Sequence, residues 1–326
     1  MSAGARRKVV LARVKLVPRY SRAKSARGRN RDENSLKPLL AIIFMEAQII
    51  DGKKLAIKIK AKVQKEIKEK NLKPKLSLIL IGNDPASLVY VKKKHEACEE
   101  VGIISDQHFF AENIPEQKII DLIEELNKDS SVSGILVQLP LPKQIDVKKI
   151  VNLIAPEKDV DGFHPLNIGK SQINENSFLP ATPLGVIRIL EEIKADLTGK
   201  NIVLVGASNI VGKPLGIILL NKNATITYCN KFTLNLKSHT KNADILISAV
   251  GKSKLISKDM VKKGAIVIDV GTTKLESGKL VGDIDFDEVK KIASFITPVP
   301  GGVGPMTVAC LMENTLKAEK MRKGIK

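Results

Sequence analysis

NIVLVGASNIVGKPLGIILL, residues 201–220, reads as a strand, a glycine turn and a helix. Asn201 to Val205 is a short apolar run of the kind buried in a parallel sheet. Gly206, Ala207 and Ser208 follow it, and Val211 to Leu220 suits a helix. Small residues at such a turn let backbone N–H groups approach a pyrophosphate, and a helix N-terminus favours that negative charge. The spacing is GxSxxxG rather than GxGxxG, so a plain strand-to-helix turn stays open as the alternative on this stretch alone.

The next strand extends the pattern. Ala224 to Tyr228 is rich in β-branched residues and leads into Cys229, Asn230, Lys231, Phe232 and Thr233. An NAD site usually has an acid there to bind the ribose hydroxyls. Here no acid is present and Lys231 is a cation, which suits the extra phosphate of NADP. Further strands are expected at Ile245 to Ala249, Ala265 to Val270 and Phe295 to Thr297, with helices from Pro183 to Lys194 and from about Met306 onward. This half is a Rossmann-like α/β domain.

The preceding half has its own alternation. Helical spacing runs from Lys53 to Lys70 and from Ser87 to Val101, with Ser87 as the expected N-cap, and again from about Glu116 to Lys128. Leu76 to Ile81 and Gly134 to Val137 read as buried strands. The fold class is therefore α/β in two domains, each a parallel sheet covered by helices. The boundaries drawn are a basic, disordered extension over 1–44, a catalytic domain over 45–162, a dinucleotide domain over 163–304, and a C-terminal helix over 305–326 that returns to the first domain.

Composition narrows the function. The chain has 326 residues and a net charge of +19. Residues 1–44 hold twelve Lys/Arg against two acids, a net +10, so over half of the excess lies in that segment. Aromatic residues are 3%, too few for stacking single-stranded nucleic acid, and neither a nucleic-acid nor a membrane partner is expected. The three cysteines are scattered and the four histidines form no metal-ligand spacing, so no metal site is expected and each thiol reads as a small buried side chain. The 1–44 segment reads as a basic tail, a transit peptide, or a start placed upstream of Met45. The compositional break at Met45 favours the last.

Three constellations could carry chemistry. Tyr90 and Lys94 stand at i, i+4 on one helical face, where a neutral lysine could accept a proton and a phenol could stack on a flat substrate. Their alternative is one ordinary face of the solvated run Lys92, Lys93, Lys94. Gln138 ends a buried strand, where open α/β sheets bind ligands, and Asp159-Val160-Asp161-Gly162 supplies a carboxylate in a turn that could equally be a simple Asx turn. Pro298 to Thr307 holds three prolines and three glycines, a rigid path that suits close approach to a ligand.

Seven stretches together resemble the methylenetetrahydrofolate dehydrogenase/cyclohydrolase family: IIDGK (49–53), PASLVYVKKKHEAC (85–98), GILVQLPLP (134–142), PEKDVDGFHP (156–165), GASNIVGKP (206–214), GAIVIDVG (264–271) and TPVPGGVGPMTVA (297–309). They stand in family order after Met45. The resemblance implies folate and NADP domains around a cleft, a homodimer, tetrahydrofolate derivatives as substrates and a cytoplasmic enzyme, or a mitochondrial one if residues 1–44 are a transit peptide. It assigns catalysis to Lys94, Tyr90, Gln138 and Asp161. Cofactor contacts fall on Gly206, Ala207, Ser208, Lys231 and Thr272. Substrate contacts fall on Tyr90, Gln138, Asp161, Pro300, Gly301 and Gly302. In the implied roles Tyr90 stacks on the aminobenzoate and bonds Lys94. Ala181 stands where the family commonly has cysteine and Thr272 where it has isoleucine, and Asn230-Lys231 varies the usual phosphate-binding pair. A shikimate-dehydrogenase-like oxidoreductase is the rival, disfavoured by VQLPLP and DVDG. A nucleic-acid-binding protein driven by the basic tail is the second. A chain begun at Met45 is expected to keep its activity and melting temperature; an inactive or insoluble truncation would place residues 1–44 in the fold.

Overall fold

The computed structural model describes Glu46 to Ile325, so the basic segment 1–44 lies outside the described residues. Two parallel sheets organise the chain. The smaller has three strands in the order β3 (Ile104–Phe110), β2 (Lys75–Ile81), β4 (Gly134–Val137). The larger has six, in the order β1 (Gln48–Ile49), β11 (Phe295–Ile296), β8 (Ile266–Asp269), β7 (Ile245–Ser248), β5 (Asn201–Val205), β6 (Thr225–Cys229). Thr273–Lys274 (β9) and Leu280–Val281 (β10) form a separate antiparallel hairpin.

Strand periodicity explains the layers, because successive side chains point to opposite faces. In β5, Ile202 and Leu204 enter one core while Val203 and Val205 enter the other. In β2, Leu76, Leu78 and Leu80 face one core and Ile79 and Ile81 the opposite one. Each sheet is thus buried on both faces, which is why these strands read as continuous apolar runs.

Three helices span the two sheets. They are α1 (Gly52–Glu69), α6 (Ala181–Glu192) and α10 (Val303–Arg322). Leu55, Ala56 and Ile59 of α1 pack with the large sheet, whereas Val63 and Ile67 pack with the small one. The final helix divides likewise, with Val303, Met306 and Ala309 in the first core and Leu311, Met312 and Leu316 in the second. Its buried Asn314 donates to Val160 O at 2.8 Å and Leu179 O at 2.9 Å.

Several expectations change. Ser87 does not cap α2 (Pro85–Val101); Asp84 does, accepting from Ser87 N at 2.8 Å, with Pro85 supplying the restricted φ suited to a first turn. The final helix begins at Val303 rather than Met306, and α6 at Ala181 rather than Pro183. Gln48–Ile49, assigned from sequence to the first domain, pairs with Phe295–Ile296 and so forms an edge of the second domain's sheet. Strand β3 was not expected at all. As an edge strand it places four half-exposed polar residues, Ser105 to His108, between exposed Ile104 and Phe109, so it lacks an apolar run.

Asn314→Leu is expected to lower unfolding free energy by about 1–3 kcal/mol, because two buried carbonyls lose their donor. A denaturant midpoint unchanged from the parental protein would count against this role.

Candidate active site

The folate-side constellation sits at the carboxyl ends of the small sheet. Lys94 lies on α2, is 7% exposed, and donates from Nζ to Gln138 Oε1 at 2.9 Å. Gln138 follows β4 directly. Its backbone N–H continues the ladder to Ile79 O at 2.8 Å, and its Nε2 donates to Leu139 O at 2.7 Å. The glutamine therefore has a fixed orientation that presents its oxygen to the lysine. Tyr90, one turn before Lys94, is 38% exposed, and no hydrogen bond joins it to Lys94 among the described residues. The bond expected between them is replaced by the glutamine contact.

Asp161 is placed by the residue two before it. Asp159 Oδ1 accepts from Gly162 N and Phe163 N at 3.1 and 3.2 Å, and Oδ2 accepts from His164 N and Asn167 Nδ2 at 2.8 and 2.9 Å. Asp159 forms no simple Asx turn, since its backbone partners lie three to five residues on; its four bonds hold the turn that presents Asp161. Gly162 stands at φ +72, and a Cβ there would lie 2.7 Å from Leu179 C and Pro180 N. Ile135 N donates to Lys158 O at 2.8 Å, which lays this segment alongside β4. Gly134 permits that approach, since its Cβ would lie 2.4 Å from Val160 Cγ1. Lys158, which sequence reading passed over, donates to Leu126, Asn127 and Asp129 carbonyls at 2.7–2.9 Å and closes the end of α3 (Glu116–Lys128).

Electrostatics act on both charged members. Burial pushes the Lys94 ammonium below its ordinary pKa, and the Asp161 carboxylate opposes that shift. Burial pushes Asp161 up to about 6, against the pull of Lys94 and with the repulsion of Asp159. Each group favours the other's charge, while the shared apolar surroundings disfavour both.

Tyr90 opens onto a cleft of about 590 Å³ that also touches Thr272 and Pro300, Gly301 and Gly302. The loop approaches α1 backbone to backbone. Lys53 N donates to Gly301 O at 3.2 Å, and a Cβ on Gly52 would overlap Gly302 O at 1.8 Å. Lys94, Gln138 and Asp161 do not line this cleft. They form a cluster of their own, buried at Lys94 and half-buried at Gln138 and Asp161, and joined to the cleft through Tyr90's helix.

The nucleotide-side residues lie at the carboxyl end of β5. Gly206 stands at φ +107, and its Cβ would lie 2.3 Å from Ala249 O; a Cβ on Gly212 would lie 1.9 Å from Gly206 O. Only glycine fits either place, so Gly206, Ala207 and Ser208 form a cradle with exposed backbone. Helix α7 (Gly212–Leu220) begins there without a side-chain cap, and Lys213 N ties its first turn back to Ser208 O at 3.0 Å. After β6, Asn230 N bonds Thr233 Oγ1 and Phe232 N bonds Asn230 Oδ1 in a tight turn, and exposed Lys231 lies 4.9 Å from the Phe232 ring centre. The glycine cradle, the uncapped helix and a cation without a competing acid fit a phosphorylated dinucleotide.

Two buried acids escaped sequence reading. Asp269 Oδ1 accepts from Gly271 N and Asp283 N, and Oδ2 from Ile284 N, at 2.9–3.2 Å. Burial nevertheless pushes its carboxyl up to about 7. Asp283 accepts from Ser248 Oγ, Val250 N and Lys252 N at 2.7–2.8 Å. Together they tie the loops after β7 and β8, including the one that carries Thr272. The visible signal was an acid ending the apolar run IVID, where burial makes a carboxylate costly unless it is hydrogen-bonded. The three cysteines are buried free thiols, and no cluster of metal-ligating residues occurs among the described residues.

A doubly wound domain with a glycine cradle, joined to a second α/β domain holding a buried lysine, defines a dinucleotide-dependent enzyme with a separate substrate domain. The family description Tetrahydrofolate dehydrogenase/cyclohydrolase, catalytic domain, matches residues 50–161, and its NAD(P)-binding domain matches residues 180–323. The chain is 54% identical to the bifunctional protein FolD of Wolinella succinogenes over 280 residues, 85% of this chain and 98% of that one. The crystal structure of the bifunctional FolD methylenetetrahydrofolate dehydrogenase/cyclohydrolase from Campylobacter jejuni superposes with a TM-score of 0.83 at 50% identity, covering 85% of this chain and 99% of that one. The Trypanosoma brucei enzyme, complexed with NADP cofactor and inhibitor, gives 0.81 at 35% identity, covering 85% and 98%. The chain belongs to the tetrahydrofolate dehydrogenase/cyclohydrolase family and is a bifunctional enzyme of one-carbon folate metabolism.

Gly206→Ala is expected to weaken NADP binding at least tenfold, because the new Cβ must displace the cradle or Ala249. Titration by fluorescence would read this directly, and parental affinity would show that the loop does not hold the nucleotide.

Proposed function

We propose that the chain oxidises 5,10-methylenetetrahydrofolate to the methenyl cation with NADP, then hydrolyses that cation to 10-formyltetrahydrofolate, using one folate site for both steps. The observation that carries the reading is the hydrogen bond from buried Lys94 to half-buried Gln138, in a chain that also holds a glycine-built nucleotide turn.

NADP supplies the hydride acceptor when bound. Ala207 and Ser208 offer its phosphates backbone N–H groups, Gly206, whose own N–H is bonded to Cys229 O, leaves room for the close approach, Lys231 meets the extra phosphate, and Thr272 borders the cleft. The protein needs no strong base for oxidation, because the folate nitrogens stabilise the cation. Its task is alignment, which can supply several kcal/mol towards such a barrier. Tyr90 stacks on the aminobenzoyl ring, Pro300 to Gly302 border it, and Asp161 pairs with the pterin edge.

Hydrolysis is different, because water must lose a proton as it attacks the bridge carbon. Lys94 accepts that proton. Its burial keeps a neutral fraction available at lower pH than an exposed lysine would allow. Gln138 fixes the direction of the Lys94 amine.

The enzyme works as a cytoplasmic homodimer. The family resemblance supports that assembly, and exposed Ile173, Leu220, Phe232 and Leu234 offer apolar surface for it. Among the described residues no helix is long and apolar enough to cross a membrane.

Lys94→Met is expected to lower cyclohydrolase activity by roughly 10²–10⁴-fold, the usual worth of a general acid–base group. Dehydrogenase activity should fall less, so methenyltetrahydrofolate accumulates, while Lys92→Met, at an exposed lysine, should behave as parental. Cyclohydrolase kcat should rise with pH through the lowered Lys94 pKa. Asp161→Asn removes the charge that opposes the lowering, so it should move that rise to lower pH. Near-parental hydrolysis by Lys94→Met would end the assignment.

A further inference from the structure

After β8 the chain leaves the large sheet at Gly271, forms the β9–β10 hairpin and returns at Gly282. Thr272 and Leu280 of this excursion line the cleft. Its ladder pairs only Thr273 with Val281 and Lys274 with Leu280, and most of its residues are exposed. So short a hairpin does not hold its own place. Asp269 holds it at the neck. Oδ1 accepts from Gly271 N on the outgoing leg at 3.2 Å and from Asp283 N on the returning leg at 3.0 Å, while Oδ2 accepts from Ile284 N at 2.9 Å. The carboxylate has no room to shift, since a Cβ on Gly282 would lie 1.9 Å from Oδ2 and Asp269 N donates to Thr297 Oγ1 at 2.7 Å.

Strand order puts this neck on the path of the cofactor. Lys231 follows β6 and the glycine cradle follows β5, while β7 and β8 continue the row on the far side of β5. A dinucleotide with its extra phosphate at Lys231 and its pyrophosphate on the cradle therefore lays its other half over the ends of β7 and β8. That half carries the ring that accepts hydride. We propose that Asp269 is a positioning residue for hydride transfer: by tying both legs of the hairpin it fixes the wall of Thr272 and Leu280 against which the nicotinamide is aligned with the folate. The inference rests on the NADP and folate reading above. Both carboxylate oxygens are taken by backbone N–H groups, so Asp269 acts through the hairpin and exchanges no proton with the substrate. The neighbouring acid has a different charge: the Asp283 carboxylate holds Ser248, Val250 and Lys252 in the loop after β7.

The test is Asp269→Asn, with the two activities assayed separately. An amide offers one accepting oxygen and sets an NH2 donor where the other oxygen met an N–H, so at least one leg of the hairpin is released. Dehydrogenase kcat is expected to fall by about ten- to hundredfold, as a displacement of about 1 Å at the reacting centre allows, while KM for NADP stays within about threefold because the phosphates remain on the cradle. Cyclohydrolase activity, started from methenyltetrahydrofolate, should stay within about twofold, since the loss is one of ring alignment and Lys94, Gln138 and Asp161 stand outside this cleft. Gly282→Ala crowds the same carboxylate without removing it and should give the same pattern, so it decides the matter if Asp269→Asn fails to fold. Lys279→Gln, at an exposed hairpin residue, should behave as parental. A parental dehydrogenase kcat in the folded Asp269→Asn protein, a loss confined to KM for NADP, or an equal loss of cyclohydrolase would overturn the proposal. Absence of NADP reduction by the parental enzyme with methylenetetrahydrofolate is a separate result, and it would overturn the folate reading itself.

Discussion

Val303–Arg322 is a single rigid rod whose first turns are buried against the large sheet and whose later turns are buried against the small one. Close packing leaves such a helix little freedom to slide without opening a cavity in one core or the other. The Pro298–Gly302 loop leads directly into it, and that loop lies against Gly52 at the start of α1, a second helix shared by both cores. The position of the cleft wall is therefore set by side chains far from the cleft. Asn314 carries the constraint further, because the carbonyl it holds at Val160 belongs to the residue before Asp161.

Burial acts within this frame as a chemical control. An ammonium and a carboxylate in apolar surroundings are each penalised, and each is the other's nearest relief. Among the described residues neither Lys94 nor Asp161 makes a direct salt bridge, and the lysine's partner is the neutral amide of Gln138. An amide can orient an amine without neutralising a charge. That arrangement leaves the lysine able to exist uncharged, which a contact ion pair with Asp161 would prevent.

Legibility in the sequence followed the physics of each element. Strands buried along their whole length were readable because burial on both faces demands unbroken apolar runs, so β2, β4 and β5 fell where expected. Strand β3 escaped because it lies at an edge where every residue keeps some exposure, so polar residues are tolerated, whereas the other edge strand, β4, is buried throughout. The two-residue strand Gln48–Ile49 was invisible, since its partner lies at the other end of the chain. Glycine positions were readable as turns, but what they touch was not: the overlap of Gly52 with Gly302, or of Gly271 with Asp283 at 2.1 Å, is a property of the assembled backbone. The Asp269 and Asp283 network hid for the same reason. Nearly all of its donors are backbone N–H groups, and these leave no mark in residue identity.

Lys92, Lys93 and Lys94 show how one residue type acquires three environments from helix geometry alone. Successive positions on a helix point about 100° apart. The first lysine faces solvent with a side chain 77% exposed and is paired only at 3.9 Å with Glu96. The second is exposed and borders the cleft. The third turns into the core of the small sheet, where burial lowers its pKa and Gln138 fixes its amine. A solvated charge, a charge at the cleft and a buried, hydrogen-bonded amine thus lie in consecutive residues. Inserting or deleting one residue before Lys92 would exchange their environments without changing composition. The chemistry resides in the phase of α2 relative to β4, and that phase is held by Val91, Ala97, Cys98 and Val101 packed in the core shared with the final helix.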